Sequence, residues 1–145
     1  MALSNGEEIS YQSIASDCGV SPNSIKNYIQ VLEDTLVAFQ LKAYTKTRKR
    51  KAISRSKLYF FDIGVTNSLA KRGEIMEGSE LFGKAFEHFI LMEVRAFISY
   101  RRKNVRMDYW RSTSRFEVDL ILDNRWGIEI KSATSIQDKH LRGIR

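Results

Sequence analysis

The sequence predicts an α/β (α+β) fold, and three observations support this prediction. Two neighbouring segments, Phe116–Leu122 and Trp126–Lys131, alternate between apolar and polar residues, as half-buried β-strands do. Every even-numbered residue of the two segments is apolar, Trp126 included, and these residues are predicted to face the core. Glu80–Ile98 instead carries apolar residues at helical spacing. Near the N-terminus, a further helical pattern follows Ser21-Pro22, a pair typical of a helix start.

The first module, residues 1–72, has the pattern of a winged helix-turn-helix. Tyr11–Asp17 is a short amphipathic helix, Gly19-Val20-Ser21 turns the chain, and the second helix begins at Pro22. Strands follow at 37–41 and 58–61, and Asp62 is predicted to cap a helix over 65–70. The residues of the two helices predicted to point inward are Tyr11, Ile14, Ala15, Cys18, Ile25, Tyr28, Ile29, Leu32 and Leu36.

Polar residues cover the outward side of the second helix, and a basic loop follows it. From Lys42 to Lys57 there are eight Lys or Arg residues and no acid. A basic loop between two strands is a wing, and a helix-turn-helix with such a wing typically binds DNA. The alternatives are a solvated loop, or a winged helix that only packs against another protein. The candidate DNA-binding residues are Asn23, Ser24, Lys26, Asn27, Lys46, Arg48, Lys49, Arg50 and Lys51.

The second module, residues 78–145, is predicted to run helix, strand, strand, strand. Val105–Ser112 is the first of these strands, and the two alternating segments are the second and third. On the long helix, Glu87 shares a face with Leu91, so its carboxylate points toward packed surface and needs a partner or a metal ion. The predicted apolar stripe of this helix consists of Phe82, Phe86, Phe89, Ile90 and Phe97.

Asp123-Asn124-Arg125 is a credible turn between the last two strands, because Asn and Asp tolerate left-handed backbone angles. Centring the hairpin on this turn sets Asp119 opposite Glu129 and Glu117 opposite Lys131. Opposed carboxylates cost free energy unless a cation lies between them, and a divalent metal ion or Lys131 can supply one. A solvated strand face with cross-strand ion pairs is the simpler alternative, since the acid-x-base pattern occurs three times in the chain.

These residues resemble the core of the PD-(D/E)XK nuclease superfamily. That core carries a Glu on a helix, an Asp on its second strand and the pattern E-x-K on its third. The matching positions in this sequence are Glu87, Asp119, Glu129 and Lys131. Val118 stands where the superfamily has the proline of its name, a change that leaves the chemistry intact. The resemblance implies a restriction-endonuclease-like α-β-β-β core.

Nearly the whole chain resembles an uncharacterised bacterial and archaeal domain that is usually fused behind an AAA+ ATPase. The chain ends at Arg145, inside the helix expected after the third strand, so we expect the second module to be C-terminally incomplete. The residues that carry this resemblance are Gly19-Val20-Ser21-Pro22, Lys57-Leu58-Tyr59-Phe60-Phe61-Asp62-Ile63-Gly64, Gly83-Lys84-Ala85-Phe86-Glu87, Val118-Asp119-Leu120 and Glu129-Ile130-Lys131.

The resemblance implies a hydrolase that cuts phosphodiester bonds in DNA with Mg²⁺ or Mn²⁺, beside an AAA+ ATPase in cis or in trans. Asp119, Glu129 and the backbone carbonyl of Ile130 would hold the ion. Lys131 would orient or activate the attacking water, and Glu87 would position that water or a second ion. The alternative is a catalytically silent DNA- or protein-docking module. A transcription regulator that uses only the winged helix leaves the second module unexplained.

Composition limits these hypotheses. With 145 residues, of which 43% are hydrophobic, the chain can build one ordinary domain or two small ones, and its net charge of +7 favours a polyanionic partner. Its single cysteine, Cys18, excludes a disulfide framework and is expected to be a small buried residue. No apolar run approaches the roughly 20 residues of a membrane span and no leader is evident, so a cytoplasmic protein without membrane contact is expected. Gly78–Ala85 fits half of a P-loop, but Ala85 replaces the Ser or Thr that holds magnesium, so no ATP site is expected.

Overall fold

The computed structural model describes residues 1–46, 53–114, 116–133 and 135. Within these ranges the protein is a mixed α+β fold with four α-helices and five strands, which confirms the predicted class. No helix in the described ranges is long and apolar enough to cross a membrane. In chain order the elements are α1 (Tyr11–Cys18), α2 (Pro22–Asp34), β1 (Ala38–Ala43), β2 (Lys57–Phe60), α3 (Ile63–Leu69), α4 (Glu80–Tyr100), β3 (Met107–Arg111), β4 (Glu117–Leu122) and β5 (Trp126–Ile128).

The strands form a mixed sheet that is hydrogen-bonded in the order β2-β1-β3-β4-β5. The chain divides into two compact units, the first comprising Met1–Leu41 with Arg55–Arg72 and the second comprising Lys42–Ser54 with Gly73–Arg145. The antiparallel pair β1–β2 lies in the first unit. The second unit contains β3, β4 and β5 in antiparallel succession, with the last two residues of β1 parallel to β3.

The helix-turn-helix of the first unit follows the cap residues in its sequence. Gly19 ends α1 in a left-handed conformation (φ 65°), which glycine adopts without steric cost. Ser21 caps α2 by accepting the Ser24 N–H at 3.0 Å, and Pro22 occupies the first turn as predicted. Asp62 likewise caps α3 by accepting the Val65 N–H at 2.8 Å. The core of the unit is formed by Ile9, Ala15, Ile25, Ile29, Ala38 and Leu58.

Three residues predicted to be inside this unit are exposed instead. Tyr28 is 58% exposed, because Ile25, Ile29 and the partly buried Leu32 already form the covered stripe of α2. Leu36 is 72% exposed, because α2 ends at Asp34 and the φ of Leu36 is 60°, so this residue no longer follows the helical period. Cys18 is also exposed, at the last position of α1.

We expect Ser21→Ala to lower the free energy of unfolding by about 1 kcal/mol, since the Ser24 N–H at the start of α2 would lose its acceptor. Urea unfolding followed by circular dichroism measures the effect. Ser24→Ala is the matched control, because it keeps the capped N–H and removes only the 2.9 Å contact between the two hydroxyls. Equal losses in both variants would assign the stability to that hydroxyl contact and not to the cap.

In the second unit, Ser79 caps α4 by accepting the Phe82 N–H at 3.1 Å. The predicted apolar stripe of this helix is wrong in part, since Phe89 is 50% exposed and Phe97 is 54% exposed. Leu91, on the opposite side, is fully buried. The reason is that α4 has two apolar faces, one aromatic and one aliphatic, and helical periodicity alone does not select the face that the sheet covers.

The segments on either side of the basic loop are anchored to β3. The Tyr44 N–H donates to the Tyr109 carbonyl at 2.6 Å, and the Ile53 N–H donates to the Arg111 carbonyl at 2.8 Å. Of the predicted wing residues, Lys46 is exposed, whereas 48–51 lie outside the described residues. The returning strand β2 begins one residue earlier than predicted and pairs antiparallel with β1.

Candidate functional site

The turn between β4 and β5 has the predicted geometry. Asp123 and Asn124 both have positive φ (54° and 56°), and the Arg125 N–H donates to the Leu122 carbonyl at 2.9 Å. The strand pairs flanking it include Leu120 with Ile128. These pairs confirm the predicted register, which, continued by one residue, sets Asp119 opposite Glu129.

The third strand is shorter than predicted, because β5 ends at Ile128 and does not continue to Ser132. Beyond Ile128, the Ile130 N–H donates to the Asp119 Oδ2 atom at 2.7 Å. A side-chain carboxylate therefore takes a backbone donor that a longer strand would use in its ladder. This one hydrogen bond thus accounts both for the early end of β5 and for the position of the Asp119 side chain.

A β-bulge lies at the same position. Asp108 pairs with Ile121 and Trp110 pairs with Val118, so two residues of β4, Asp119 and Leu120, face only one residue of β3. Val118, Asp119 and Leu120 are consecutively buried, with 5%, 5% and 0% of their surface exposed. The expectation that Asp119 lies on an exposed polar face is therefore wrong, because the bulge interrupts the two-residue period.

Lys131 brings the candidate residues together. Its Nζ atom lies 2.7 Å from Glu129 Oε1, 3.2 Å from Asp119 Oδ2 and 3.1 Å from the carbonyl oxygen of Ile130. These three oxygens belong to the residues that the nuclease resemblance assigns to a metal ion. Lys131 thus supplies the compensating cation that the opposed carboxylates require. Glu117 contacts Arg111 instead, with 3.8 Å between Oε2 and Nε.

The oxygen set also fits a divalent ion. The side chains of Asp119 and Glu129 are 7% and 13% exposed, and the buried Oε2 atom of Glu129 has no hydrogen-bond partner within the described residues. An unsatisfied buried oxygen is costly, and hard oxygen donors are what Mg²⁺ and Mn²⁺ prefer. Because no three His, Cys, Asp or Glu side chains in the described ranges are grouped to hold a metal, the set comprises two carboxylates and the Ile130 carbonyl, without Glu87.

Burial and charge set the protonation of the pair. Burial raises the pKa of Glu129 and the charge of Asp119 adds to this, while the hydrogen bond to Lys131 opposes it. Burial lowers the pKa of Lys131, but its hydrogen bond to Glu129 and the charge of Asp119 outweigh this and raise the pKa above its ordinary value. Lys131 is therefore an ammonium at neutral pH.

The raised pKa of Glu129 predicts a pH dependence of stability. A carboxyl whose folded pKa lies above its ordinary value of 4.5 stabilises the fold when protonated, and this contribution is lost as the pH rises through the folded pKa. Relative to Glu129→Gln, the thermal midpoint of the wild type should therefore fall as the pH rises from 4.5 toward neutrality. Ser24→Ala, which alters no titratable group, is the control, and its midpoint should follow that of the wild type at every pH. A wild-type midpoint that rises relative to Glu129→Gln would contradict the assignment.

The other predicted site residues belong to α4, to α2 and to the basic loop. Glu87 is half-buried on α4, on the side of Leu91 as predicted. The α2 residues Asn23, Lys26 and Asn27 are exposed, and so is Lys46 at the start of the basic loop. Ser24 is half-buried, and its hydroxyl contacts that of Ser21.

The sequence pattern missed one buried acid, Asp108. It has none of its surface exposed, and its Oδ1 atom accepts a hydrogen bond from Arg106 Nη2 at 2.9 Å. Arg106 Nε lies 2.7 Å from Oδ2 as an ion contact without hydrogen-bond alignment. Two features of the sequence could have identified Asp108 as a buried and paired acid. It directly precedes the apolar pair Tyr109-Trp110, and an arginine lies two residues earlier on the same face of the strand.

Two family profiles match the chain. The first, described as a domain of unknown function (DUF8612), matches residues 1–75, and the second, also described as a domain of unknown function (DUF4143), matches residues 82–145. No curated protein and no solved structure is similar enough to count as a match. Because the first profile spans more than half of the chain, the protein belongs to the DUF8612 family, and its second part is similar to the DUF4143 domain.

Proposed function

We propose that the protein is a DNA-binding, metal-dependent nuclease-like module of the kind fused to AAA+ ATPases, and that it hydrolyses phosphodiester bonds. One observation carries the proposal. Two buried carboxylates, a backbone carbonyl and a lysine ammonium converge within 2.7–3.2 Å beside a β-bulge. Opposed carboxylates next to a lysine are suited to phosphate chemistry, whereas a surface that only binds phosphate gains nothing from them.

The order of elements supports this assignment. In the first unit, α1 and α2 precede the antiparallel pair β1–β2, which is the order of elements in a winged helix, and most of the basic segment that joins the two strands belongs to the second unit. In the second unit, α4 precedes the antiparallel strands β3, β4 and β5, as in the α-β-β-β core of the PD-(D/E)XK superfamily. Asp119 lies on the second strand, as the acid of that core does, whereas Glu129 directly follows the third strand, which ends at Ile128.

The residues of the chain have separate roles in this proposal. Asp119, Glu129 and the Ile130 carbonyl would hold Mg²⁺ or Mn²⁺, which supplies a Lewis acid at a phosphate oxygen. Because Lys131 remains protonated, it would serve as a hydrogen-bond donor and as a positive charge facing the developing charge of the transition state, not as a general base. Glu87 would orient the attacking water from α4.

A titration with Mn²⁺ and Mg²⁺, combined with a plasmid-nicking assay, tests the proposal. We expect the wild type to bind the ion and to nick the plasmid, and Glu129→Gln to lose both, since an amide is a weaker ligand than a carboxylate. Glu117→Gln is the matched control and should retain both activities, because this acid contacts Arg111 and does not belong to the set of oxygens around the Lys131 ammonium. A wild type that binds no divalent ion and nicks nothing would exclude the nuclease hypothesis.

The second candidate function is a catalytically silent DNA- or protein-docking module of an AAA+ ATPase. It is favoured by the Lys131 ammonium, which already neutralises both carboxylates without a metal ion. In this case the oxygen set and Lys131 serve stability alone. DNA binding that is unaffected by divalent ions, together with an absence of cleavage, would support this function over the first.

The nuclease and the DNA-docking module both predict that the basic loop contacts DNA phosphates. Replacing Arg48, Lys49 and Arg50 by Ala should weaken duplex binding and lower the log–log salt slope by about 0.9 for each phosphate contact removed. Fluorescence anisotropy at several salt concentrations measures this slope. A Lys71→Ala/Arg72→Ala variant, which removes two cations outside the basic loop, is the control. A slope unchanged by the triple substitution would assign the loop to solvent or to a protein partner.

A further inference from the structure

Trp126, the first residue of β5, is 69% exposed. The alternating pattern had predicted that it faces the core with the other even-numbered residues. It lies beside the turn, on β5, which is the outermost strand on this side of the sheet among the described residues. The other tryptophan, Trp110, is only 7% exposed. A single exposed aromatic is ordinary, so the meaning of Trp126 depends on the residues around it.

The topology brings a second sequence feature to the same end of the sheet. Met107 pairs with Leu122, and Leu122 pairs with Trp126, so the three residues form one row across β3, β4 and β5. Just beyond this row, the Asp123 N–H donates to the Arg106 carbonyl at 2.9 Å. The loop that precedes β3 and the turn that precedes β5 therefore lie next to each other.

This end of the sheet is strongly basic. In the described segments 101–108 and 123–125, the acids are Asp108, which is buried against Arg106, and Asp123, whose carboxylate accepts the Arg106 N–H at 3.4 Å. Five exposed cations outnumber these two acids, so the surface around Trp126 carries excess positive charge. The cations are Arg101, Arg102, Lys103, Arg106 and Arg125.

We infer that Trp126 and the surrounding cations form a binding site for single-stranded DNA, in which a base stacks on the indole and phosphates contact Arg125 and the 101–106 loop. Exposed aromatics within a basic surface are the usual means of holding single strands, because unpaired bases offer a free face for stacking. In a duplex both faces are already stacked. Positive charge lies on both sides of Trp126, and this arrangement suits a DNA backbone that passes across the indole.

The position of Trp126 relates this site to the carboxylates. Asp119 precedes Leu122, the partner of Trp126, by three residues of β4, which is about 10 Å along the strand. By the two-residue period, Trp126 and the pair Asp119 and Glu129 lie on opposite faces of the hairpin, so a single strand held at Trp126 reaches the carboxylates by passing around the edge strand β5. The inference deepens the proposed function by naming where the DNA is held, but its test needs no divalent ion and no cleavage.

Tryptophan fluorescence tests the inference directly, because Trp126 is the exposed one of the two tryptophans. The full chain is titrated with oligo(dT) in EDTA at low salt. We expect quenching in the wild type, and a loss of affinity of about tenfold to a hundredfold in Trp126→Ala. Trp126→Phe should retain most of the affinity and lose the quenching. Neither substitution should change the thermal midpoint, since the side chain is not part of the core.

Charge and strandedness supply the controls. Arg125→Ala should lower the log–log salt slope for oligo(dT) by about 0.7, whereas Lys84→Ala, which removes an exposed lysine from α4, should leave it unchanged. A blunt duplex should not quench Trp126. An absence of quenching by oligo(dT), equal affinity of wild type and Trp126→Ala, or equal quenching by the duplex would each overturn the inference. Metal-dependent nicking without quenching would retain the proposed function and reject this site. Quenching without nicking would retain this site and reject the nuclease function.

Discussion

Asp119→Ala is expected to lower the free energy of unfolding by about 1–3 kcal/mol, the cost of leaving buried polar groups without partners. The Asp119 Oδ2 atom accepts both the Ile130 N–H at 2.7 Å and the Lys131 ammonium at 3.2 Å. The alternating pattern alone predicted an intact or slightly more stable fold, because removing Asp119 relieves its repulsion with Glu129. The structure reverses this sign, since Lys131 already offsets the repulsion and the Ile130 N–H is buried.

Asp119→Asn is the matched control, because an amide oxygen can still accept the Ile130 N–H while the negative charge is lost. We expect it to recover a substantial part of the stability that Asp119→Ala loses, and urea unfolding of both variants measures the difference. If Asp119→Ala were as stable as the wild type, the hydrogen bond to Ile130 would contribute nothing and the burial of Asp119 would have to be reconsidered.

Lys131→Ala is expected to reduce cleavage by a factor on the order of 10² to 10³, the usual scale for one electrostatic contact to a transition state. Metal binding, in contrast to cleavage, should become stronger in this variant. The ammonium lies within 3.2 Å of both carboxylates, so it competes with a divalent ion for the same oxygens. Removing it should tighten Mn²⁺ binding while cleavage falls, whereas removal of either carboxylate should weaken both.

The Lys131 prediction is tested by calorimetric titration with Mn²⁺ beside single-turnover nicking of the plasmid. Lys84→Ala is the control, since Lys84 forms an exposed pair with Glu80 on α4 and should affect neither measurement. Cleavage that survives Lys131→Ala unchanged would remove this residue from the reaction. Metal binding that weakens in the same variant would mean that Lys131 organises the carboxylates and does not compete with the ion.

Local features of the chain could be predicted from the sequence because they depend on local chemistry. Ser21 and Asp62 cap helices through their own side chains, and Asp123 and Asn124 tolerate the positive φ that the turn requires. Once the turn is placed, the two-residue period of the strands leaves one hairpin register, which is the register observed. Through that register, the sequence by itself also determined that Asp119 and Glu129 face each other.

Tertiary structure alone decided which surfaces are covered and where the strand period breaks. The sequence of α4 offers two apolar faces, and only packing leaves Phe89 and Phe97 exposed while Leu91 is buried. The bulge at Asp119 depends on how β3 pairs with β4, a contact that no local pattern encodes. The position of Lys131 between the carboxylates follows from this bulge and from the early end of β5, because a buried carboxylate takes the nearest available donors, here the Ile130 N–H and the Lys131 ammonium.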